Sequence, residues 1–275
     1  NGKQVEASSL DGFTMKNRDF YYKKILYIGD SITYGSPYKT DINRYIFSYP
    51  WRISELTNAQ YYNAAIPGAT MAFKATTSAP FHRYRIISDV VPEIKMGTTP
   101  IASPGLLEIN THTFEDFDTI VICAGTNDYT DLISLGTSDS DNESTYCGAL
   151  NRLMETIRQA DRKRLREGKG HITVIMPDLF YSDRCTSFTR RMSRYSTKNA
   201  IGYTLKAYND AKNHIVKKYK KRGLKVYRFK TSKYVNRKNC AYATADNLHM
   251  TKYTYEKLGN DLAAFIMKDW YSSSK

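Results

Sequence analysis

Five residues in this chain have the types and spacing that acyl transfer requires. In IGDSITYG (28–35), Ser31 stands where an apolar segment gives way to a turn. Its hydroxyl is thereby presented at a strand end, and the backbone N–H groups of the turn are left to meet an anion. Gly29 and Gly35 on either side admit close backbone approach and unusual dihedrals. A serine hydroxyl is a weak nucleophile until a base takes its proton. Of the five histidines, His82 and His112 lie in a long insertion, His171 opens an apolar segment and His214 sits in a basic helix. His249 differs, because ADNLHM (245–250) places Asp246 three residues before it. Within one tight loop the carboxylate can accept from Nδ1–H and leave Nε2 facing a serine. Charge that develops on a tetrahedral intermediate also needs donors. NAAIPGAT (63–70) offers the N–H of Gly68, AGTND (124–128) offers the side-chain amide of Asn127, and the N–H of Ser31 is a third.

Taken singly, each block has a plainer reading: a turn with an Asp cap, a helix-capping Asp beside a surface His, a Pro–Gly turn, an Asn–Asp turn. Their placement along the chain is what joins them. Strands are predicted over KILYIGD (24–30), AQYYNAAI (59–66), DTIVICAG (118–125), HITVIMPD (171–178) and LKVYRF (224–229). Helices are predicted over 50–57, 144–168, 201–222 and 251–271, with Pro50 in a first turn, Gly168 and Gly223 as stops and Thr251 as an N-cap. Strands alternating with helices indicate a parallel five-stranded sheet in a three-layer α/β/α sandwich, with all strand C-termini on one edge. Open α/β sheets build their sites on that edge. Ser31, Gly68 and Asn127 each follow a strand, and Asp246 and His249 precede the last helix. Residues 1–20 read as a polar N-terminal arm and 21–275 as a single domain. The two long connections, 71–117 and 178–200, leave the same edge or its surroundings and are positioned to shape a substrate groove.

In this order, GDS, then Gly, then G-x-N-D, then D-x-x-H, the blocks resemble those of the GDSL/SGNH hydrolases, over about residues 24–250. IGDSITYG and AGTND are close forms, NAAIPGAT is looser, and Asn247 stands where a Gly is common. The resemblance implies a flavodoxin-like fold, no metal or cofactor, and an acyl-enzyme mechanism. In that mechanism Ser31 is nucleophile, His249 base and Asp246 its orienter, and Ser31, Gly68 and Asn127 form the oxyanion hole.

Composition bounds the rest. With 41% hydrophobic and 25% charged residues, the 275-residue chain can form a full core. No apolar run reaches the ~18 residues that a bilayer span needs. The net charge of +14 favours anionic polymers. The basic run 212–225 reads as a solvated helix face, whereas the run 184–198, with Arg184, Arg190, Arg191 and Arg194, lies in a connection suited to such a polymer. Cys123 reads as a buried small hydrophobe; Cys185 and Cys240 are candidates for a disulfide if the protein is exported. The chain starts at Asn1 rather than Met, so it reads as processed or trimmed, and a secreted or surface location is expected. The expected substrate is an O-acyl ester, acetyl foremost, on a carbohydrate or cell-wall or capsular polymer. Tyr34, Tyr38, Tyr45, Tyr49 and Trp51, close after the nucleophile, offer faces for sugar rings or ordinary packing. The competing readings are a lipid esterase or lysophospholipase, transfer to a sugar acceptor, and a non-catalytic surface or nucleic-acid-binding protein. The last gives no reason for the five residues to occur together.

Overall fold

The computed structural model describes residues 20–38, 43, 46–72, 85–96, 112–182, 198–199 and 201–273. Five parallel strands form one sheet in the order β2-β1-β3-β4-β5: β1 (Lys24–Gly29), β2 (Gln60–Asn63), β3 (Thr119–Cys123), β4 (Thr173–Pro177) and β5 (Lys225–Phe229). The helices are α1 (Ser31–Tyr34), α2 (Tyr49–Thr57), α3 (Val91–Met96), α4 (Thr126–Thr130), α5 (Tyr146–Arg166), α6 (Leu205–Lys221), α7 (Cys240–Ala243) and α8 (Lys252–Ser273).

Alternation along the strands divides the core in two. Leu26, Ile28, Ile120, Ile122, Val174, Met176 and Val226 face one side, where they meet Leu153 and Ile157 of α5 and Ile215 of α6. Ile25, Tyr27, Val121, Cys123 and Ile175 face the other, against Ile53 of α2 and Leu258, Leu262 and Ile266 of α8. A strand buried on both faces reads as a continuous apolar run, as β1, β3 and β4 do here. The expected three layers are present. Phe20, the last residue of the expected arm, is already part of the core and packs on Trp270 and Tyr271 with ring centroids 4.9 Å away in each case.

Helix starts follow side-chain capping. Ser48 caps α2, Thr145 caps α5 and Thr204 caps α6, each accepting from a backbone N–H three residues on. Thr251 Oγ1 accepts from Thr254 N at 3.4 Å at the start of α8. The connection 71–117 is less of a loop than its sequence suggests. Ile86–Val90 form a π-helical turn that runs into α3, and their apolar side chains join the core.

One expectation changes and one open choice is settled. Lys212 does not belong to a solvated face: it is buried, its Nζ donates to Pro177 O at 2.7 Å, and burial lowers its pKa. Tyr49 is fully buried with its hydroxyl 2.9 Å from Thr33 Oγ1, so of the two roles open to it packing is the one it takes; Tyr45 lies outside the described residues. Cys240 is buried at the start of α7, with Sγ 3.8 Å from Asn247 O. Cys185, His82 and Arg184, Arg190, Arg191 and Arg194 lie outside the described residues. Among the described residues, no helix is long and apolar enough to cross a membrane.

Candidate active site

The nucleophile candidate sits where β1 ends. Asp30 is the N-cap of α1, its Oδ1 accepting from Ile32 N at 3.0 Å, and Gly35 closes that single turn by donating to Ser31 O at 3.1 Å. Ser31 is therefore the first residue of a helix, held on both sides by its own turn. Asp30 is buried beneath it. Desolvation pushes its carboxyl up to about 6, against the pull of the Ile32 N–H and the Lys212 ammonium. Gly29 is required by packing: a Cβ there would stand 2.2 Å from Thr33 Oγ1 and 2.7 Å from Cys123 O.

Asp246 and His249 share a short hairpin, 244–250, pinned by an antiparallel bridge between Thr244 and Met250. One oxygen of Asp246 accepts from the backbone N–H groups of His249 (2.7 Å) and Leu248 (3.1 Å). The other lies 2.8 Å from His249 Nδ1, and His249 Nε2 lies 2.8 Å from Ser31 Oγ. Desolvation would raise the pKa of Asp246, but the hydrogen bonds from the His249 backbone and ring, its charge and the Leu248 N–H outweigh it and bring the pKa down. A carboxylate only accepts, so Nδ1 carries the proton and Nε2 is left to accept from the serine hydroxyl. Asn247 takes φ +63, the left-handed conformation that asparagine tolerates and that Gly would also meet. The hairpin is tied to the segment after β4, where Ser182 Oγ donates to Asn247 O at 2.5 Å.

The donor loop follows β2. Ile66 N donates to Gly29 O and Ala69 N to Ile66 O, forming a turn with Gly68 at φ +79. A Cβ on Gly68 would meet no heavy atom of the described residues within 4 Å. Neither Gly68 N nor Ser31 N has a partner among the described residues. Asn127 lies in α4, directly after β3, and its Nδ2 donates to Ala69 O at 2.9 Å. That bond uses one amide hydrogen and leaves the other.

The sequence reading passed over the neighbour of Asn127. Asp128 is fully buried, and its two oxygens accept from Met71 N (2.7 Å) and Ala72 N (3.0 Å). Burial pushes its carboxyl up to about 7 against those two bonds. Asn127 and Asp128 together therefore hold the Gly68 turn by three backbone contacts. The available signal was an acidic residue in the first turn after a fully buried strand, which needs buried partners if it is not solvated.

Thus the structure brings Ser31, His249 and Asp246 into one hydrogen-bonded line and links Asn127 to the loop of Gly68. His112 is elsewhere, 3.1 Å from the Tyr62 hydroxyl, and His171 pairs with Asp161 at 3.1 Å at the opposite edge.

A family model described as GDSL-like lipase/acylhydrolase matches residues 25–262. A search of curated proteins finds no match. Solved structures with the same fold include a protein from Lactobacillus plantarum (18% identity, TM-score 0.59, 89% of this chain and 96% of that one). Another is a family two carbohydrate esterase from Clostridium thermocellum in complex with cellohexaose (19%, 0.55, 90% and 64%). A third is a protein described as a possible lipase from Chitinophaga pinensis (15%, 0.56, 89% and 98%). These likenesses establish the fold.

Proposed function

The chain belongs to the GDSL-like lipase/acylhydrolase family and is a carboxylic ester hydrolase; from that premise we propose that it removes a short acyl group, acetyl foremost, from a carbohydrate through an acyl-enzyme on Ser31. The observation that carries the mechanism is the line Asp246–His249–Ser31, with both side-chain contacts at 2.8 Å.

As Ser31 Oγ attacks the ester carbon, its proton passes to His249 Nε2, and the imidazolium that forms is stabilised by Asp246, whose lowered pKa keeps it ionised. The carbonyl oxygen becomes an oxyanion and is met by Ser31 N–H, Gly68 N–H and the second hydrogen of Asn127 Nδ2. His249 returns the proton to the leaving alcohol, and the C–O bond breaks. A water then gives its proton to His249 and attacks the acyl carbon, releasing the acid and restoring Ser31.

Three features favour a carbohydrate over a lipid. Among the described residues, a Cβ on Gly68 would meet no heavy atom within 4 Å, which leaves room there for a bulky acceptor. Tyr34 and Tyr38 remain partly exposed beside α1. The fold is shared with an esterase seen with bound cellohexaose. The charge of +14 suits an acidic polymer, and a secreted or surface location suits such a substrate.

A fluorophosphonate probe should label Ser31 and no other residue. On p-nitrophenyl esters, kcat/KM should fall as the acyl chain lengthens from acetate to palmitate. Failure to label Ser31 would end the mechanistic proposal, and a preference for long chains would replace the carbohydrate with a lipid.

A further inference from the structure

A cavity opens on the edge of the sheet that carries Ser31. It lies past the C-termini of β4 and β5, has a volume of about 520 Å³, and is walled by Asp178, Asn209, Arg228, Lys230, Thr231 and Arg237 among others. Its charges sort cleanly. Arg228 holds both oxygens of Asp178, at 2.6 and 2.9 Å, and Lys206 holds Asp210 at 2.6 Å, so both acids of the wall are neutralised. Lys230 and Arg237 have no partner among the described residues. Thr231 is only 2% exposed, yet its hydroxyl has no hydrogen-bond partner among the described residues. The hydroxyl itself is not enclosed and stays open to the cavity. The wall thus offers two uncompensated cations and an accessible hydroxyl, a set that matches a carboxylate: Arg supplies a planar fork, Lys a point charge and Thr an O–H that can turn to it.

The cavity is also at a useful distance. Strands in a sheet are spaced ~4.8 Å apart, and β4 and β5 are two and three strands from β1, so the cavity lies roughly 10–14 Å from Ser31. It is joined to the catalytic hairpin as well. Tyr181 is part of its wall, and the next residue, Ser182, bonds Asn247 between Asp246 and His249. We propose that this cavity is a subsite for the carboxylate of an acidic sugar residue a short way along the chain from the acylated one. The substrate class of this enzyme is then an acylated, uronate-containing polysaccharide. This rests on the carbohydrate reading above for the acyl step, but the binding itself does not depend on that reading.

The test is therefore binding first and turnover second. An alginate hexasaccharide is titrated by calorimetry into Ser31→Ala and into the same protein carrying Lys230→Gln and Arg237→Gln. Both residues are exposed and unpaired, so the fold is retained, and melting curves check this. The expected result is a Kd about tenfold higher in the triple variant, equivalent to ~1.4 kcal/mol, with no binding of cellohexaose changed by the substitutions. Equal affinities, or no alginate binding by Ser31→Ala, would overturn the subsite. With Ser31 intact, chemically acetylated alginate should show a KM about tenfold higher after Lys230→Gln/Arg237→Gln, while kcat on acetylated cellulose and on p-nitrophenyl acetate stays unchanged. Acetate release from acetylated cellulose but not from alginate would likewise overturn the subsite and leave the carbohydrate reading standing. Alginate binding without acetate release from either polymer would overturn the carbohydrate reading and leave the subsite standing.

Discussion

Replacing Asp128 with Asn separates positioning of the oxyanion loop from stability of the fold. The carboxylate accepts two backbone N–H bonds, from Met71 and Ala72, while an amide accepts through one atom and turns its NH2 on the other donor. A buried donor left facing a donor costs about 1–3 kcal/mol. That is the expected loss of stability near pH 5, where the wild-type carboxyl is neutral. The sign then changes with pH. The Asp128 carboxyl is pushed up to about 7 in the native protein, against ~3.9 in the unfolded chain. The native state therefore binds the proton more tightly, and stability is lost as pH rises from 4 to 7. The difference of three pH units amounts to about 4 kcal/mol by pH 8. The Asn variant has no such loss. Its deficit should shrink between pH 5 and pH 8, and even reverse, with a relative rise of roughly 5–15 °C in melting temperature. Catalysis receives no such compensation. The loop that carries Gly68 has lost one of its tethers, although Asn127 still holds Ala69 O. We expect kcat at pH 8 to fall ~10–100-fold, short of the 10²–10³ that follows loss of a whole oxyanion donor, with KM within threefold. Steady-state hydrolysis of p-nitrophenyl acetate and urea melts at both pH values measure the two effects. An unchanged kcat in Asp128→Asn would show that the clamp serves the fold alone, and a deficit that is the same at pH 5 and pH 8 would refute the argument from burial.

Three further substitutions have distinct expected signatures. Asp246→Ala leaves His249 without an orienting acceptor, and kcat should fall about 10³–10⁴-fold; a loss under tenfold would remove Asp246 from the mechanism. Gly68→Ala has room for the new Cβ but must hold φ +79, a strain of roughly 1–2 kcal/mol. Because that Cβ enters the space before the oxyanion, kcat/KM should fall by much more than the melting temperature suggests. Gly29→Ala should do the opposite. Its Cβ would press on Cys123 O and Thr33, costing about 1–3 kcal/mol or more, and a variant melting with the wild type would show that the turn relaxes.

Much of this was readable from residue order. The strands lie within one to three residues of their expected ends because β1, β3 and β4 are buried on both faces and leave an unbroken apolar trace. The hydrogen-bonded line of Ser31, His249 and Asp246 was legible because Asp246 and His249 are close in sequence and Ser31 adjoins a strand. What escaped was long-range and polar. Asp128 meets Met71 and Ala72 57 and 56 residues away, and no local pattern announces such a pairing. Lys212 looked like its charged neighbours, yet its ammonium turns inward to Pro177 O. Tyr49 stayed open between a sugar face and core packing because aromatic type alone does not say which side of a helix faces the sheet. The turn at Ile86–Val90 was lost for a related reason: π-helical spacing fits neither a strand nor an α-helix period.

The contact between Ser31 and His249 spans 218 positions. At a synthesis rate of roughly 5–20 residues per second, the nucleophile emerges about 10–45 s before its base. Throughout that interval the serine is an ordinary alcohol. The sheet, meanwhile, lacks the face that α8 covers. On the proposed mechanism, covering of that face and the onset of reactivity are thus one late event, and a chain interrupted before the hairpin would carry Ser31 without its base.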